Sequence, residues 1–105
     1  MQKYLLVYFG GHQFTSKEEG MAHMEKWQAW MKGLGDAVVD PGMPVGASKT
    51  VSTQGVVDGG VSLPLSGITI LQADNMDQAL KMARACPHID LGGSIEVAPA
   101  MNMEM

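Results

Sequence analysis

The chain has 105 residues, enough for one small domain that buries only about two-thirds of its unfolded surface. Hydrophobic residues make up 46% and charged residues 17%, a globular composition. A net charge of −4 with scattered Lys and Arg argues against a nucleic-acid partner, and no run approaches the ~20 apolar residues of a membrane span.

The lone cysteine, Cys86, excludes an internal disulfide and suits a reducing compartment. The opening MQKYLLVYFGG has neither the apolar length nor the cleavage pattern of a secretion signal. A single cytoplasmic domain over 1–105 is therefore expected. The ten methionines read as adaptable packing residues.

In chain order, Tyr4 to Phe9 (YLLVYF) is apolar on both alternating faces, as a strand covered on both sides reads. Gly10 and Gly11 close it. Ser16-x-x-Glu19 matches a capping box and predicts a helix from Lys17 to Lys32, ended by Gly33 and Gly35. Met24, Trp27, Met31 and Leu34 share its apolar stripe, with His23 and Trp30 on one flank.

From Asp40 to Gly67 the chain is rich in Gly, Pro and Ser and reads as a long loop with an irregular hairpin. Val45 to Ser52 is its best strand, with a second short run at Val56 and Val57. Gly67 to Ala73 (GITILQA) is a further strand. Asn75-x-x-Gln78 caps a second helix, whose apolar spacing takes in Met76, Ala79, Leu80 and Ala83. Pro87 stops that helix, and Gly92-Gly93 leads into a last strand from Ser94 to Ala98.

The order β-α-β-β-α-β predicts a ferredoxin-like α+β fold, an antiparallel sheet with two helices on one face. The other face would leave the apolar side chains of YLLVYF in water. A second copy of the same sheet is the simplest cover, so a homodimer is expected.

The stretch SGITILQADNMDQALKMARACPHIDLGGSIEVAPAMNM, Ser66 to Met103, resembles the C-terminal half of YCII-related proteins of the DGPF type. The N-terminal half is similar as well: an apolar first strand ending in Gly, a Ser-x-Glu-Glu start at Ser16 to Glu19, and a helix carrying His23 followed by an aromatic in HMEKW. The Asp-Gly-Pro-Phe motif itself is absent, and Asp58-Gly59-Gly60-Val61 stands in its region. The resemblance implies a dimeric α+β barrel with an enzyme-like cleft, where a helix histidine and a nearby aspartate exchange protons. It also implies a link, through a few members, to dehydrochlorination of hydroxylated aromatics.

His23 is the leading catalytic candidate, because imidazole takes and releases a proton near neutral pH; a boundary histidine bonded to backbone or water is the plainer alternative. Asp40 would fix its tautomer and stabilise the imidazolium. The same aspartate opens a Pro-Gly turn, where it can simply bond its own backbone. Asp36 is a second possible partner.

Tyr8, Trp27 and Trp30 could wall a pocket and stack on an aromatic substrate, or serve only as core. His88, in the Cys-Pro-His stretch, is expected at the rim of a loop, as turn punctuation and a possible substrate contact. His12, His23 and His88 raise a metal site, but no two share i, i+4 spacing and no metal is expected. Met101-x-Met103-x-Met105 offers thioethers to Cu(I), or is an ordinary end strand or frayed terminus. Cys86 reads as a small buried hydrophobe.

The expected function is proton transfer on a small molecule, with aromatic rings among the candidates, by a cofactor-independent lyase or isomerase using His23 and Asp40. The alternative is a non-catalytic dimeric module that binds a small ligand or another protein.

Overall fold

The computed structural model describes residues 1–60 and 64–101. Their elements are β1 (Gln2–Phe9), α1 (Lys17–Leu34), β2 (Val38–Pro44), β3 (Lys49–Ser52), β4 (Gly55–Asp58), β5 (Leu65–Ala73), α2 (Met76–Arg84) and β6 (Ser94–Pro99). Four strands make one sheet in the order β2-β5-β1-β6, every neighbouring pair antiparallel. With two helices against it, this is the ferredoxin-like α+β fold expected from the pattern. Val61 and the paired Met103 and Met105 lie outside the described residues.

Both helices begin where their caps require. The Ser16 hydroxyl accepts from the Glu19 amide at 3.1 Å, and the Asn75 side chain accepts from the Gln78 amide at 2.9 Å. The reciprocal arms reach one residue further back than a standard box. Glu19 accepts from the Thr15 hydroxyl at 2.8 Å, and the Gln78 side-chain oxygen accepts from the Asp74 amide at 2.6 Å.

Strand alternation divides β1 and β5 cleanly. Tyr4, Leu6 and Tyr8 with Thr69, Leu71 and Ala73 are buried beneath the helices. Ala79 and Ala83 of α2 let that helix sit close to the sheet, and Trp30 of α1 fills the space between. Leu5, Val7 and Ile70 are half-buried on the opposite face, and Ile68 there is exposed.

Three expectations are corrected. Trp30 is the buried residue of α1 rather than a flank residue, its indole N–H donating to the Met82 carbonyl at 3.0 Å, while Met24 is exposed. Leu80 is exposed as well, its place in the packing taken by half-buried Met82. The third concerns the middle of the chain, where the predicted loop contains a sheet strand, β2, and a separate hairpin of β3 and β4.

Asp40-Pro41-Gly42 lies inside β2, yet its turn chemistry is real. The Gly42 amide donates to the Asp40 carboxylate at 2.8 Å, and the register against β5 slips on both sides of the turn. A turn folded into a strand is a bulge. Gly42 has φ +72, and a Cβ there would collide with the Ile68 carbonyl, so only glycine suits the position. Beyond it the β3–β4 hairpin stands apart from the main sheet, with Val51, Val56 and Val57 exposed.

Candidate functional site

The end of β1 and the turn after α2 are stitched together by backbone. The His12 amide donates to the Leu91 carbonyl at 2.9 Å, and the Gly10 amide to the Pro64 carbonyl at 2.8 Å. On the other side, the bulge of β2 leans over β5. Between these edges and the exposed flank of α1 opens a cleft of about 420 Å³. That volume suits a single small molecule with one ring.

Its wall is a run of adjoining rings, two pairs edge-on and two tilted. Phe14 meets His23 at 5.2 Å between centroids, His23 meets Trp27 at 6.1 Å, Trp27 meets Tyr8 at 5.4 Å, and Tyr8 meets His88 at 5.4 Å. Met24, Met31 and Met43 add adaptable apolar surface. The arrangement gives the cleft a largely apolar, aromatic lining with few polar atoms to orient a guest.

Those polar atoms are tightly organised. The Tyr8 hydroxyl donates to Thr69 Oγ1 at 2.7 Å, and the Thr69 hydroxyl donates to the Pro41 carbonyl at 3.0 Å. This relay ties β1, β5 and the bulge of β2 into one floor. Burial raises the Tyr8 hydroxyl well above the ordinary phenol range, so it stays protonated. Burial likewise pushes the Cys86 thiol up to about 11, consistent with its reading as a small packed hydrophobe.

His23 lies on the cleft, half-buried, where its Nε2 accepts from the Trp27 indole N–H at 2.6 Å. Desolvation lowers its pKa first, and the charges of Lys26 and His88 lower it further. His88 is 5% exposed, not at a loop rim as the sequence suggested. Pro87 starts a 3-10 turn over Pro87–Leu91 that carries the ring inward, and its Nε2 donates to the Phe9 carbonyl at 2.9 Å.

Of the remaining expected site residues, Tyr8 and Trp27 line the cleft and Trp30 lies behind it in the core. Asp40 is not in the lining; its carboxylate is engaged with the Gly42 amide, and the charges acting on His23 do not include it. The structure therefore does not bring His23 and Asp40 together in one chain. Asp36 is exposed in the turn after α1. His12 joins His23 and His88 on the cleft, but among the described residues no three metal-ligating side chains converge.

Two residues went unnoticed in the sequence. Thr69 is the polar residue at an inward position of an otherwise apolar strand, a pattern that requires a buried partner. Gly93 reads as half of a turn pair, whereas its role is to leave room for the His88 ring.

No family model and no curated protein matches the sequence. The fold has a solved counterpart. It is similar to 5-chloro-2-hydroxyhydroquinone dehydrochlorinase from Burkholderia phenoliruptrix AC1100, in complex with 2,5-dihydroxybenzoquinone. That match has 14% identity and a TM-score of 0.59, covering 95% of each chain, and at such identity it speaks to fold alone. A hydantoinase/carbamoylase family amidase from Burkholderia ambifaria aligns with 95% of this chain but 27% of its own, at 9% identity and a TM-score of 0.35, and carries no argument.

Proposed function

We propose that the protein is a cofactor-independent lyase or isomerase acting on a small hydroxylated aromatic or quinonoid ring, with its imidazoles handling the proton. The observation that carries this reading is the cleft itself: a ring-sized space walled by Trp27, Tyr8 and Phe14, with His23 and His88 opening onto it. Removing a hydroxyl proton makes such a ring electron-rich enough to expel a leaving group or accept a proton elsewhere, which needs a base and no redox partner. The shared fold with a dehydrochlorinase of a chlorinated hydroquinone, and the YCII-type resemblance, support the same substrate class.

Asp40 drops out of this reading as a catalytic partner, because its carboxylate already serves the bulge. The test is a panel of catechols, hydroquinones and their chlorinated forms, screened for thermal stabilisation and then for chloride release or ring isomerisation. Binding without turnover would favour the alternative, a ligand-binding module. No stabilisation by any ring compound would end the proposal.

The same reading includes a homodimer. Leu5, Val7, Ile68 and Ile70 form an apolar surface on the sheet face that the helices leave open. Sheet-on-sheet packing with a second copy would cover it. Sedimentation should give a dimer, and Ile68→Lys should weaken it. A stable monomer at high concentration would refute this part alone.

A further inference from the structure

Resting on the reading of the cleft as a site for hydroxylated rings, we propose that its two histidines have opposite, fixed roles: His88 Nδ1 takes the ligand proton, and neutral His23 donates its Nδ1–H to the resulting oxyanion. The assignment follows from hydrogen-bond partners that admit only one sense. A carbonyl only accepts, so His88 Nε2 must carry a proton for Phe9, and in the neutral ring the lone pair is then on Nδ1. An indole N–H only donates, so His23 Nε2 must be bare for Trp27, which leaves the proton on Nδ1.

The surroundings reinforce both. His88 is held on two sides: a Cβ on Gly93 would strike its ring, and one on Gly11 would sit 3.0 Å from its Cε1. Its Nδ1 makes no hydrogen bond among the described residues, and no fully buried side-chain nitrogen or oxygen among them lacks a partner, so this atom keeps some exposure on a ring that lines the cleft. At the second site, desolvation and the charge of Lys26 lower the pKa of His23 against an opposing Asp90, which favours the neutral ring that an electrophilic donor must be.

In the step itself the ligand O–H bond breaks and an N–H bond forms at His88 Nδ1. The electron pair stays on the ligand oxygen, where His23 Nδ1–H meets it. His88 becomes an imidazolium whose Nε2–H still points at the Phe9 carbonyl, which stabilises the charge. His23 keeps its proton throughout, since losing it would give an imidazolate. The pair thus selects rings bearing one oxygen that can lose a proton and accept a hydrogen bond, and rejects their ethers.

The test is nitrogen-15 NMR of the full chain labelled at histidine, with catechol and 1,2-dimethoxybenzene as probes. In the free protein at neutral pH, His88 should be protonated at Nε2 and His23 at Nδ1; either ring in the other tautomer overturns the assignment. Catechol should move the His88 Nδ1 resonance and the dimethyl ether should not. If catechol binds and that resonance stays still, the division of roles fails while the ring site stands. If both tautomers are as stated and no phenol binds, the ring site fails and the division falls with it.

His88→Gln supplies an independent reading, because an amide can still donate to the Phe9 carbonyl but offers no lone pair in the Nδ1 position. It should melt like the parent protein and bind catechol about ten-fold more weakly, the usual scale for one lost hydrogen bond that leaves its partner unpaired. Unchanged affinity in a folded variant would overturn the assignment.

Discussion

Gly93→Ala isolates the seat of His88. Gly93 is not among the glycines with positive φ, so alanine suits its backbone and any cost comes from collision. The new Cβ would overlap His88 Nε2 and lie 2.6 Å from both Cδ2 and Cε1. A ring that is 5% exposed cannot swing aside without breaking its bond to the Phe9 carbonyl. Overpacking of this kind costs about 1–3 kcal/mol, and an orphaned buried carbonyl about 1–3 kcal/mol more. A loss of about 2–6 kcal/mol is expected, a fall in Tm on the order of 10–25 °C for a domain of this size.

Urea unfolding of Gly93→Ala beside Gly33→Ala would measure it. Gly33 lies inside α1 without a positive φ, and a Cβ added there would meet nothing within 4 Å. If Gly93→Ala cost under about 0.5 kcal/mol, the ring would not be seated as described, and the case for a fixed tautomer would go with it.

Other expectations use the same measurements. Gly33→Ala should stabilise the protein by about 0.5–1 kcal/mol, since alanine is the better helix residue and meets no neighbour. Trp30→Phe should cost about 1–3 kcal/mol, because it removes the indole donor to the Met82 carbonyl and leaves space between α1 and the sheet. His23 adds a pH dependence whose sign is fixed. Its folded pKa lies below the unfolded value of 6.5, so the unfolded chain binds the proton first. The His23 penalty is therefore absent above 6.5, grows as pH falls below it, and levels off below the folded pKa. Unfolding measured across that window should show the slope, and His23→Gln should flatten it; a slope that survived in the variant would come from another group.

The fold was legible because its signals are local. Ser16 with Glu19 and Asn75 with Gln78 marked both helix starts, Pro87 marked an end, and β1 and β5 carried β-type runs. β2 was hidden by its own bulge. Asp40-Pro41-Gly42 is a turn by every local criterion, and only pairing with β5 makes the flanking residues a strand. Trp30 was misplaced for a related reason. The direction a helix faces is set by what packs on it, and the small residues Ala79 and Ala83 that help make room between the helices lie far along the chain.

Of the candidate site residues, His23 and Trp27 were singled out by residue type on α1 and Tyr8 by its ring on β1, and all three line the cleft. What the chain could not reveal is orientation. Nothing in Cys-Pro-His says that a proline-started turn carries the imidazole under Phe9, which lies near the other end of the chain, and that contact alone decides which nitrogen is free. Equally, the carboxylate chosen by proximity to a histidine-bearing helix, Asp40, is consumed by a backbone need two residues away.

That loss leaves the cleft with an unusual inventory. Tyr8 and Cys86, the other proton carriers beneath it, are both held protonated by burial and cannot act as bases near neutral pH. His12 lies at the exposed edge, its Nδ1 directed at the Gln13 carbonyl and 3.6 Å from Glu19. On the proposed reading, proton chemistry deep in the cleft falls to two imidazoles, neither hydrogen-bonded to a carboxylate, with the charge of Asp90 opposing but not outweighing the lowering of the His23 pKa by burial. A carboxylate would raise a histidine's pKa and favour its charged form. A backbone carbonyl behind His88 and an indole behind His23 set tautomer through dipoles rather than full charges. A site built this way suits a hydroxyl on an uncharged ring better than a carboxylate or phosphate substrate, because the lining among the described residues is largely apolar and includes no Lys or Arg to hold an anion.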